Sequence, residues 1–285
     1  MNPLVTSAWL AAQIEDPAAA AKLVILDATL PPVGVTPRVD THARYQASHI
    51  PGARFFDIDE ISDHATTLPH MLPTSESFSA SMSALGISDD SIIVVYEQEG
   101  VFSAPRAWWM LRVFGAQHVH ILDGGLRAWL DSGFPTETGL VSAPHPPAPF
   151  QAQLKPEAVI NYSQLQQQIA AHSQIVDARS AGRFSGAAPE PRPGLSSGHM
   201  PGATSLPFTE LVEQGRLKSP DQLGEIFASK GIDTHQPIAT TCGSGVTAAV
   251  LSLALEILEA PKIALYDGSW SEYAQLPASV IEKSA

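Results

Sequence analysis

The stretch "VILDAT" at residues 24–29 is matched 150 residues later by "QIVDAR" at 174–179, and this repetition decides the fold. Each stretch is a short aliphatic, β-branched run that ends near an aspartate, a pattern typical of a buried strand. A second pair, "SHIPGA" at 48–53 and "GHMPGA" at 198–203, has the same offset. A period of this length excludes short solenoid repeats and predicts two copies of one domain.

Two further pairs of segments keep the same order along the chain. "VYEQEGVFSAPRAWW" at 95–109 aligns with "TTCGSGVTAAVLSLA" at 240–254, and "LDGGLRAW" at 122–129 aligns with "YDGSWSEY" at 266–273. In each copy, β-branched runs alternate with segments of helical pattern, which is typical of parallel sheets covered by helices. The sequence therefore predicts an α/β fold of two tandem domains, each a mainly parallel sheet flanked by helices.

A proline-rich stretch separates the two copies. "SAPHPPAPFQAQLKP" at 142–156 contains five prolines and no apolar periodicity, which favours an extended, stiff linker. We therefore expect an N-terminal domain over residues 1–140, a linker over 141–156 and a C-terminal domain over 157–285.

The composition bounds the class of protein and its partners. Of 285 residues, 44% are hydrophobic and 16% are charged, which favours two folded cores over disorder. The net charge of -13 argues against nucleic acid and anionic membrane surfaces as partners. Because the sequence shows neither an apolar stretch approaching the ~18 residues of a membrane span nor a basic targeting segment, we expect a cytoplasmic protein.

The only cysteine, Cys242, follows the predicted strand "PIATT" and precedes a predicted helix, the place where ligands bind in α/β sheets. Gly243 and Gly245 allow the backbone N–H groups to converge, and a helix N-terminus adds partial positive charge. A lone cysteine is more often an inert small hydrophobe. Here, however, the aligned residue of the first copy is Glu97, and the asymmetry favours a reactive thiolate at the mouth of the second domain.

Several other chemistries fit the sequence poorly. A cysteine phosphatase needs an arginine six positions after the cysteine, where this chain has Ala248. A cysteine peptidase needs a histidine base, and none lies near the loop in sequence, although another part of the fold can supply one. The ten histidines lack metal-ligand spacing, and the glycines at 124 and 125 do not complete a dinucleotide fingerprint. No metal or nucleotide cofactor is expected.

The loop "CGSGVTA", the two "H-[IM]-P-G-A" segments, "DGG", "DGS" and the duplicated layout together resemble the two-domain rhodanese family of sulfurtransferases. The resemblance covers nearly the whole chain. Within that family the loop is more similar to the 3-mercaptopyruvate sulfurtransferase subfamily. Thiosulfate sulfurtransferases typically carry Arg and Lys at the two positions that Gly243 and Ser244 occupy here.

The resemblance implies a set of site residues. Cys242 would be the nucleophile that carries a persulfide, while Arg183 in "GRF" and Arg192 in "EPRPG" would bind the substrate carboxylate. The resemblance also implies a proton relay of Asp40, His49 and Ser244. His199 occupies the same motif as His49, so that motif can equally be a structural turn. The loop residues implied to hold the substrate and sulfur anion are Gly243, Gly245, Val246 and Thr247.

The implied reaction is a two-step transfer of sulfur. Sulfur would pass from 3-mercaptopyruvate through the Cys242 persulfide to a thiol, cyanide or thioredoxin-like acceptor, with release of pyruvate. Two alternatives stay open at this point. The chain can be a thiosulfate:cyanide sulfurtransferase, or it can be a persulfide carrier that another enzyme loads.

Overall fold

The computed structural model describes residues 3–140 and 148–284, and the chain divides into two compact units. The first unit contains residues 1–63, 72–155 and 214–216, and the second contains residues 64–71, 156–213 and 217–285. Two short segments, 64–71 and 214–216, thus belong to the opposite unit from the one that the predicted boundaries assign to them.

The predicted linker is only partly covered, since residues 141–147 lie outside the described residues. Its second half belongs to the first unit. The amide of Gln153 donates to the carbonyl of Phe114 at 3.0 Å, and the amide of Lys155 donates to the carbonyl of Val113 at 2.8 Å. These backbone hydrogen bonds attach the end of the proline-rich stretch to the first unit, so it is not a free spacer there.

The first unit contains a five-stranded parallel sheet with the strand order β1-β5-β4-β2-β3. Its strands are β1 (Leu4–Val5), β2 (Leu23–Asp27), β3 (Arg54–Phe55), β4 (Ile92–Tyr96) and β5 (His118–Leu122). Its helices are α1 (Ser7–Glu15), α2 (Pro17–Ala20), α3 (Thr41–Ala47), α4 (Ile58–Ile61), α5 (Ser75–Ala84), α6 (Ala104–Val113) and α7 (Gly125–Asp131).

The second unit repeats this architecture, with a five-stranded parallel sheet in the order β6-β12-β11-β7-β8. The strands of the sheet and a short hairpin are β6 (Val159–Ile160), β7 (Gln174–Asp177), β8 (Ala203–Ser205), β9 (Val212–Glu213), β10 (Arg216–Leu217), β11 (Ile238–Thr241) and β12 (Ile263–Tyr266). The helices are α8 (Tyr162–Ala170), α9 (Ala181–Ser185), α10 (Pro220–Ser229), α11 (Ala248–Ile257) and α12 (Ser269–Tyr273), with 3-10 turns at Pro156–Ala158 and Phe208–Leu211.

The identical strand order confirms the predicted duplication of a parallel α/β domain. The runs that the sequence predicts as strands are largely buried because helices cover both faces of such a sheet, and most of their side chains are accordingly apolar. The helix α11 is apolar on nearly all sides and almost completely buried, as expected of a helix enclosed by its own domain. No helix in the described part of the chain has the length and apolar character needed to cross a bilayer.

The histidine of each "H-x-P-G-A" segment has the same structural role in its own unit. His49 exchanges two backbone hydrogen bonds with Glu137, and His199 does so with Glu282. Nδ1 of His49 lies 2.9 Å from the carbonyl oxygen of Tyr45, and Nδ1 of His199 lies 3.0 Å from that of Phe184. Each imidazole also stacks on the aromatic ring of that same residue. The shared pattern indicates that these histidines fix a turn.

Two glycines of the first unit have left-handed backbone conformations, and only one of them lies close against another part of the backbone. Gly125 has a φ of 58°, and a Cβ there would lie 2.3 Å from the carbonyl oxygen of Glu97. Gly52 has a φ of 74°, but no atom lies within 4 Å of a Cβ. We expect Gly52→Ala to cost only the backbone strain of about 1 to 2 kcal/mol. Because Gly125→Ala adds a backbone clash, it should cost more than about 4 kcal/mol.

Urea denaturation of the two variants at one pH measures this difference in the free energy of unfolding. Equal losses in the two variants would show that the close approach of Gly125 to Glu97 does not constrain the fold.

Candidate active site

Cys242 lies directly after β11, in the loop of residues 242–247 that leads into α11. Gly245 has a φ of 77°, so the loop turns sharply at a glycine as the sequence indicated. The thiol itself is less accessible than expected. Cys242 is only 2% exposed, which corrects the prediction of an accessible thiol at the mouth of the domain.

Hydrogen bonds from the start of α12 set the direction of the peptide groups around the thiol. The amide of Trp270 donates to the carbonyl of Cys242 at 2.9 Å, and the amide of Ser271 donates to that of Gly243 at 3.0 Å. In a trans peptide the N–H points opposite to the preceding C=O. The amides of Gly243 and Ser244 therefore point away from α12.

The amides of the loop are left available for an anion. Within the described residues, no backbone N–H of residues 243–247 donates to a protein acceptor. Val246 and Thr247 instead offer their carbonyls to the first turn of α11, at 3.2 and 3.1 Å. Adjacent free donors at the N-terminal end of a ten-residue helix form a site that favours negative charge.

Ser269 supports the loop from beneath, in a conformation that is unusual for a residue with a side chain. Its φ is 50°, and its hydroxyl donates to the carbonyl of Tyr266 at 2.8 Å while accepting the amide of Cys242 at 3.3 Å. The two hydrogen bonds offset the strain of a left-handed serine. They also hold Cys242 at the end of β11.

The corresponding loop of the first unit is occupied by the protein's own carboxylate. Glu97, which aligns with Cys242, accepts hydrogen bonds from the amides of Phe102, Ser103 and Ala104 at 2.6, 3.1 and 3.2 Å. Its carbonyl accepts the amide of Leu126 at 2.9 Å, as that of Cys242 accepts Trp270. Burial raises the pKa of Glu97 to about 7, with the amide hydrogen bonds acting in the opposite direction. The same scaffold therefore binds an acidic side chain in the first unit.

Both predicted arginines reach the cysteine loop. A Cβ on Gly243 would lie 2.9 Å from Nη2 of Arg183 and 3.7 Å from Nη1 of Arg192. Nη2 of Arg192 also donates to the hydroxyl of Ser244 at 3.3 Å. The missing side chain at position 243 is what lets a guanidinium lie against the loop backbone, so two cationic groups border the amides.

Behind the loop, Arg183 belongs to a buried network of charges. Its Nε and Nη2 donate to one oxygen of Glu190 at 3.0 and 2.5 Å, and the other oxygen accepts Nη1 of Arg179 at 2.7 Å. Arg179 also pairs with Asp177 and lies over the ring of Trp270 at 3.9 Å. Burial opposes the charged form of Arg179, but the two carboxylates raise its pKa above the usual value. These contacts give Arg179 a structural role at the end of its strand.

A histidine other than the predicted His49 lies against the hydroxyl of Ser244. The hydroxyl of Ser244 lies 3.0 Å from Nδ1 of His70, a buried residue with a φ of 62°. Asp40 instead caps α3 by accepting the amide of Ala43 at 2.9 Å, and His49 fixes the turn described above. His70 belongs to the segment 64–71, which packs with the second unit. The sequence around it, "LPHMLP", carries no motif that could have indicated this.

The arrangement contains the elements of nucleophilic chemistry on sulfur. A cysteine begins a loop of free amides, two guanidinium groups border that loop, and a serine–histidine pair can move a proton. Across residues 3–140 and 148–284, no three His, Cys, Asp or Glu side chains come together as metal ligands would.

Comparison with known proteins relates this arrangement to a family. The chain matches the rhodanese-like domain twice, over residues 6–132 and 161–276. It is 46% identical over 280 residues to a 3-mercaptopyruvate sulfurtransferase of Escherichia coli (strain K12), covering 96% of each chain. It is 40% identical over 276 residues to a Homo sapiens protein of the same name, covering 95% of this chain and 91% of that one.

A solved structure agrees with these sequence matches. The crystal structure of SseA from Escherichia coli, described as a 3-mercaptopyruvate sulfotransferase, superposes with a TM-score of 0.85 and 43% identity. The match covers 95% of this chain and 100% of that chain. The likeness therefore extends across both units.

The buried carboxyl of Glu97 predicts a pH dependence of stability. Its pKa is about 7 in the folded protein, against an ordinary 4.5, so the folded state binds more protons between these values. The stabilising contribution of Glu97 is therefore fully present below about pH 4.5. It is lost as the pH rises through 7, and the free energy of unfolding falls by on the order of 2 to 3 kcal/mol. Glu97→Gln removes this titration and should flatten the dependence.

Urea denaturation at pH 5 and pH 8 tests this expectation. Tryptophan fluorescence is suitable because the first unit holds four of the five tryptophans. The other titrating groups contribute equally to both proteins. Subtracting the free energy of unfolding of the variant from that of the native protein therefore isolates the effect of Glu97. Parallel pH dependence in the two proteins would contradict the assignment.

Proposed function

The chain belongs to the rhodanese family, and from this premise we propose that it is a 3-mercaptopyruvate sulfurtransferase. The observation that carries the proposal is the lone cysteine, Cys242, at the start of a loop of free amides, with the guanidinium groups of Arg183 and Arg192 beside Gly243. A donor with one carboxylate and one reactive sulfur fits this arrangement, because its charge and its sulfur can be bound at separate points.

The first step forms a persulfide. The Cys242 thiolate attacks the thiol sulfur of 3-mercaptopyruvate, an S–S bond forms, and the carbon–sulfur bond breaks. The electron pair of that bond leaves on carbon as the enolate of pyruvate, and Cys242 retains the sulfur as Cys–S–SH. A proton must then reach the enolate carbon to give pyruvate.

Each group near the loop has a role in this step. The amides of residues 243–247, including Gly245, Val246 and Thr247, stabilise the negative charge on sulfur. Arg183 and Arg192 bind the carboxylate of the donor. Ser244 and His70, which are hydrogen bonded, supply the proton to the leaving enolate. This relay replaces the predicted one through His49 and Asp40.

The second step returns the enzyme to its starting state. A nucleophilic acceptor, such as a small thiol, cyanide or a thioredoxin-like protein, attacks the outer sulfur, and Cys242 leaves as the thiolate. A reducing compartment such as the cytoplasm suits this cycle, because it supplies thiols and keeps Cys242 reduced.

The proposal is tested by incubating the purified protein with 3-mercaptopyruvate alone. We expect intact mass to rise by one sulfur atom per chain and pyruvate to be released in equal amount. Cys242→Ser, which keeps the size of the side chain but lacks the nucleophile, should show neither change. Loading by thiosulfate alone would favour a thiosulfate sulfurtransferase. Absence of pyruvate release, together with acceptance of sulfur from another enzyme's persulfide, would favour a carrier.

The assignment of the proton relay gives a second prediction. Because general acid catalysis contributes about 10²-fold or more, His70→Asn should lower kcat with 3-mercaptopyruvate by about that factor. Turnover of thiosulfate should change much less, since its leaving group, sulfite, needs no proton on carbon. His49→Asn should lower stability but leave the ratio of the two donor activities unchanged.

Steady-state kinetics with both donors on folded protein make the comparison. A donor-specific loss in the His49 variant and none in the His70 variant would restore the relay that the sequence suggested.

A further inference from the structure

We infer that Glu190 is a positioning residue for Arg183, and that it makes the site selective for donors with a single carboxylate over dianions. The inference rests on the proposed function. It adds a role for a side chain that does not itself touch the donor.

Glu190 is fixed on both sides by its neighbours in sequence and in space. It lies between Pro189 and Pro191, whose rings restrict the backbone and favour an extended conformation at Glu190. Its side chain is 2% exposed and divides its two oxygens between Arg179 and Arg183. Arg179 is fully buried and paired, so it holds the carboxylate of Glu190 in place. That carboxylate in turn fixes the guanidinium of Arg183.

The contact orients the guanidinium of Arg183. A single carboxylate oxygen of Glu190 accepts hydrogen bonds from Nε and Nη2, which form one edge of the guanidinium. Nη1 donates to no acceptor among the described residues, and Nη2 lies where a side chain at Gly243 would stand. The second edge of the guanidinium, formed by Nη1 and the remaining N–H of Nη2, thus stays available beside the loop for a carboxylate. Without Glu190, a long flexible arginine would have to be ordered by the donor at an entropic cost.

The same contact sets the charge of the site. Two carboxylates and two guanidinium groups balance within the buried network of Asp177, Arg179, Glu190 and Arg183. Because the carboxylate of Glu190 offsets the charge of Arg183, a donor with two negative charges meets more repulsion there than a donor with one.

Glu190→Gln tests the inference, with Asp177→Asn as its matched control. Both remove one buried carboxylate charge from the Arg179 network, but only Glu190 contacts Arg183. A charge-assisted hydrogen bond is worth about a factor of 10 or more, so Glu190→Gln should raise the KM for 3-mercaptopyruvate by about tenfold. We expect kcat to stay within about threefold and the KM for thiosulfate to fall or stay constant. Asp177→Asn should lower stability without changing the ratio of the two KM values.

A double-mutant cycle shows whether Glu190 acts through Arg183. In the Arg183→Ala background, Glu190→Gln should have no further effect on the KM for 3-mercaptopyruvate. An equal effect in both backgrounds, an unchanged KM ratio in Glu190→Gln, or a similar change in Asp177→Asn would overturn the inference. If Glu190→Gln does not fold, Glu190→Asp keeps the charge but is too short to bridge both arginines. It should raise the KM for 3-mercaptopyruvate alone.

A binding measurement separates failure of this inference from failure of the proposed function. Pyruvate carries the same carboxylate and can be measured as a competitive inhibitor of thiosulfate-dependent turnover. Glu190→Gln should raise its inhibition constant about tenfold, whether or not 3-mercaptopyruvate is a donor. An unchanged inhibition constant would refute the role of Glu190 even if pyruvate release by the native protein had established the donor.

Discussion

The backbone hydrogen bonds from Trp270 and Ser271 to the carbonyls of Cys242 and Gly243 are the constraint on which the site depends. They orient rigid peptide groups, so the amide donors near the sulfur are fixed by the packing of α12 against the end of β11. No side chain has to be ordered when an anion arrives. Preorganised donors of this kind stabilise developing charge without the reorganisation that solvent would require.

The two units show the same scaffold with and without an acidic side chain bound to the amides of the loop. In the first unit, the backbone bond from Leu126 to Glu97 has the same geometry, and the carboxylate of Glu97 lies among the amides of its own loop. In the second unit, a cysteine is too short to satisfy the amides of its loop, so they remain unpaired. The replacement of a long acidic side chain by a short thiol, among other differences between the two loops, thus distinguishes a structural loop from a reactive one on the same sheet architecture.

Much of this could be predicted from the sequence, because strand runs and loop glycines are local signals. The offset of about 150 residues predicted two parallel sheets, and the position of Cys242 between strand and helix predicted the amide loop. The motif of His49 encodes a turn, as its repetition at His199 indicates, and the contact of Ser244 with His70 is the reason to propose a different relay. His70 was missed because its contact with Ser244 joins residues 174 positions apart and no motif marks it. Glu190 lies within "EPRPG", but a sequence does not show that its side chain is buried between Arg179 and Arg183.

The burial of Cys242 also decides which chemical state of the sulfur meets the outside of the protein. A second sulfur bonded to the thiol would project about 2 Å further along the S–S bond. The restricted access that limits attack on the unloaded thiol by peroxides applies equally to the sulfur donor, which has to reach the same atom. The outer sulfur of a persulfide would be the more accessible of the two sulfur atoms, so the acceptor meets less obstruction than the donor.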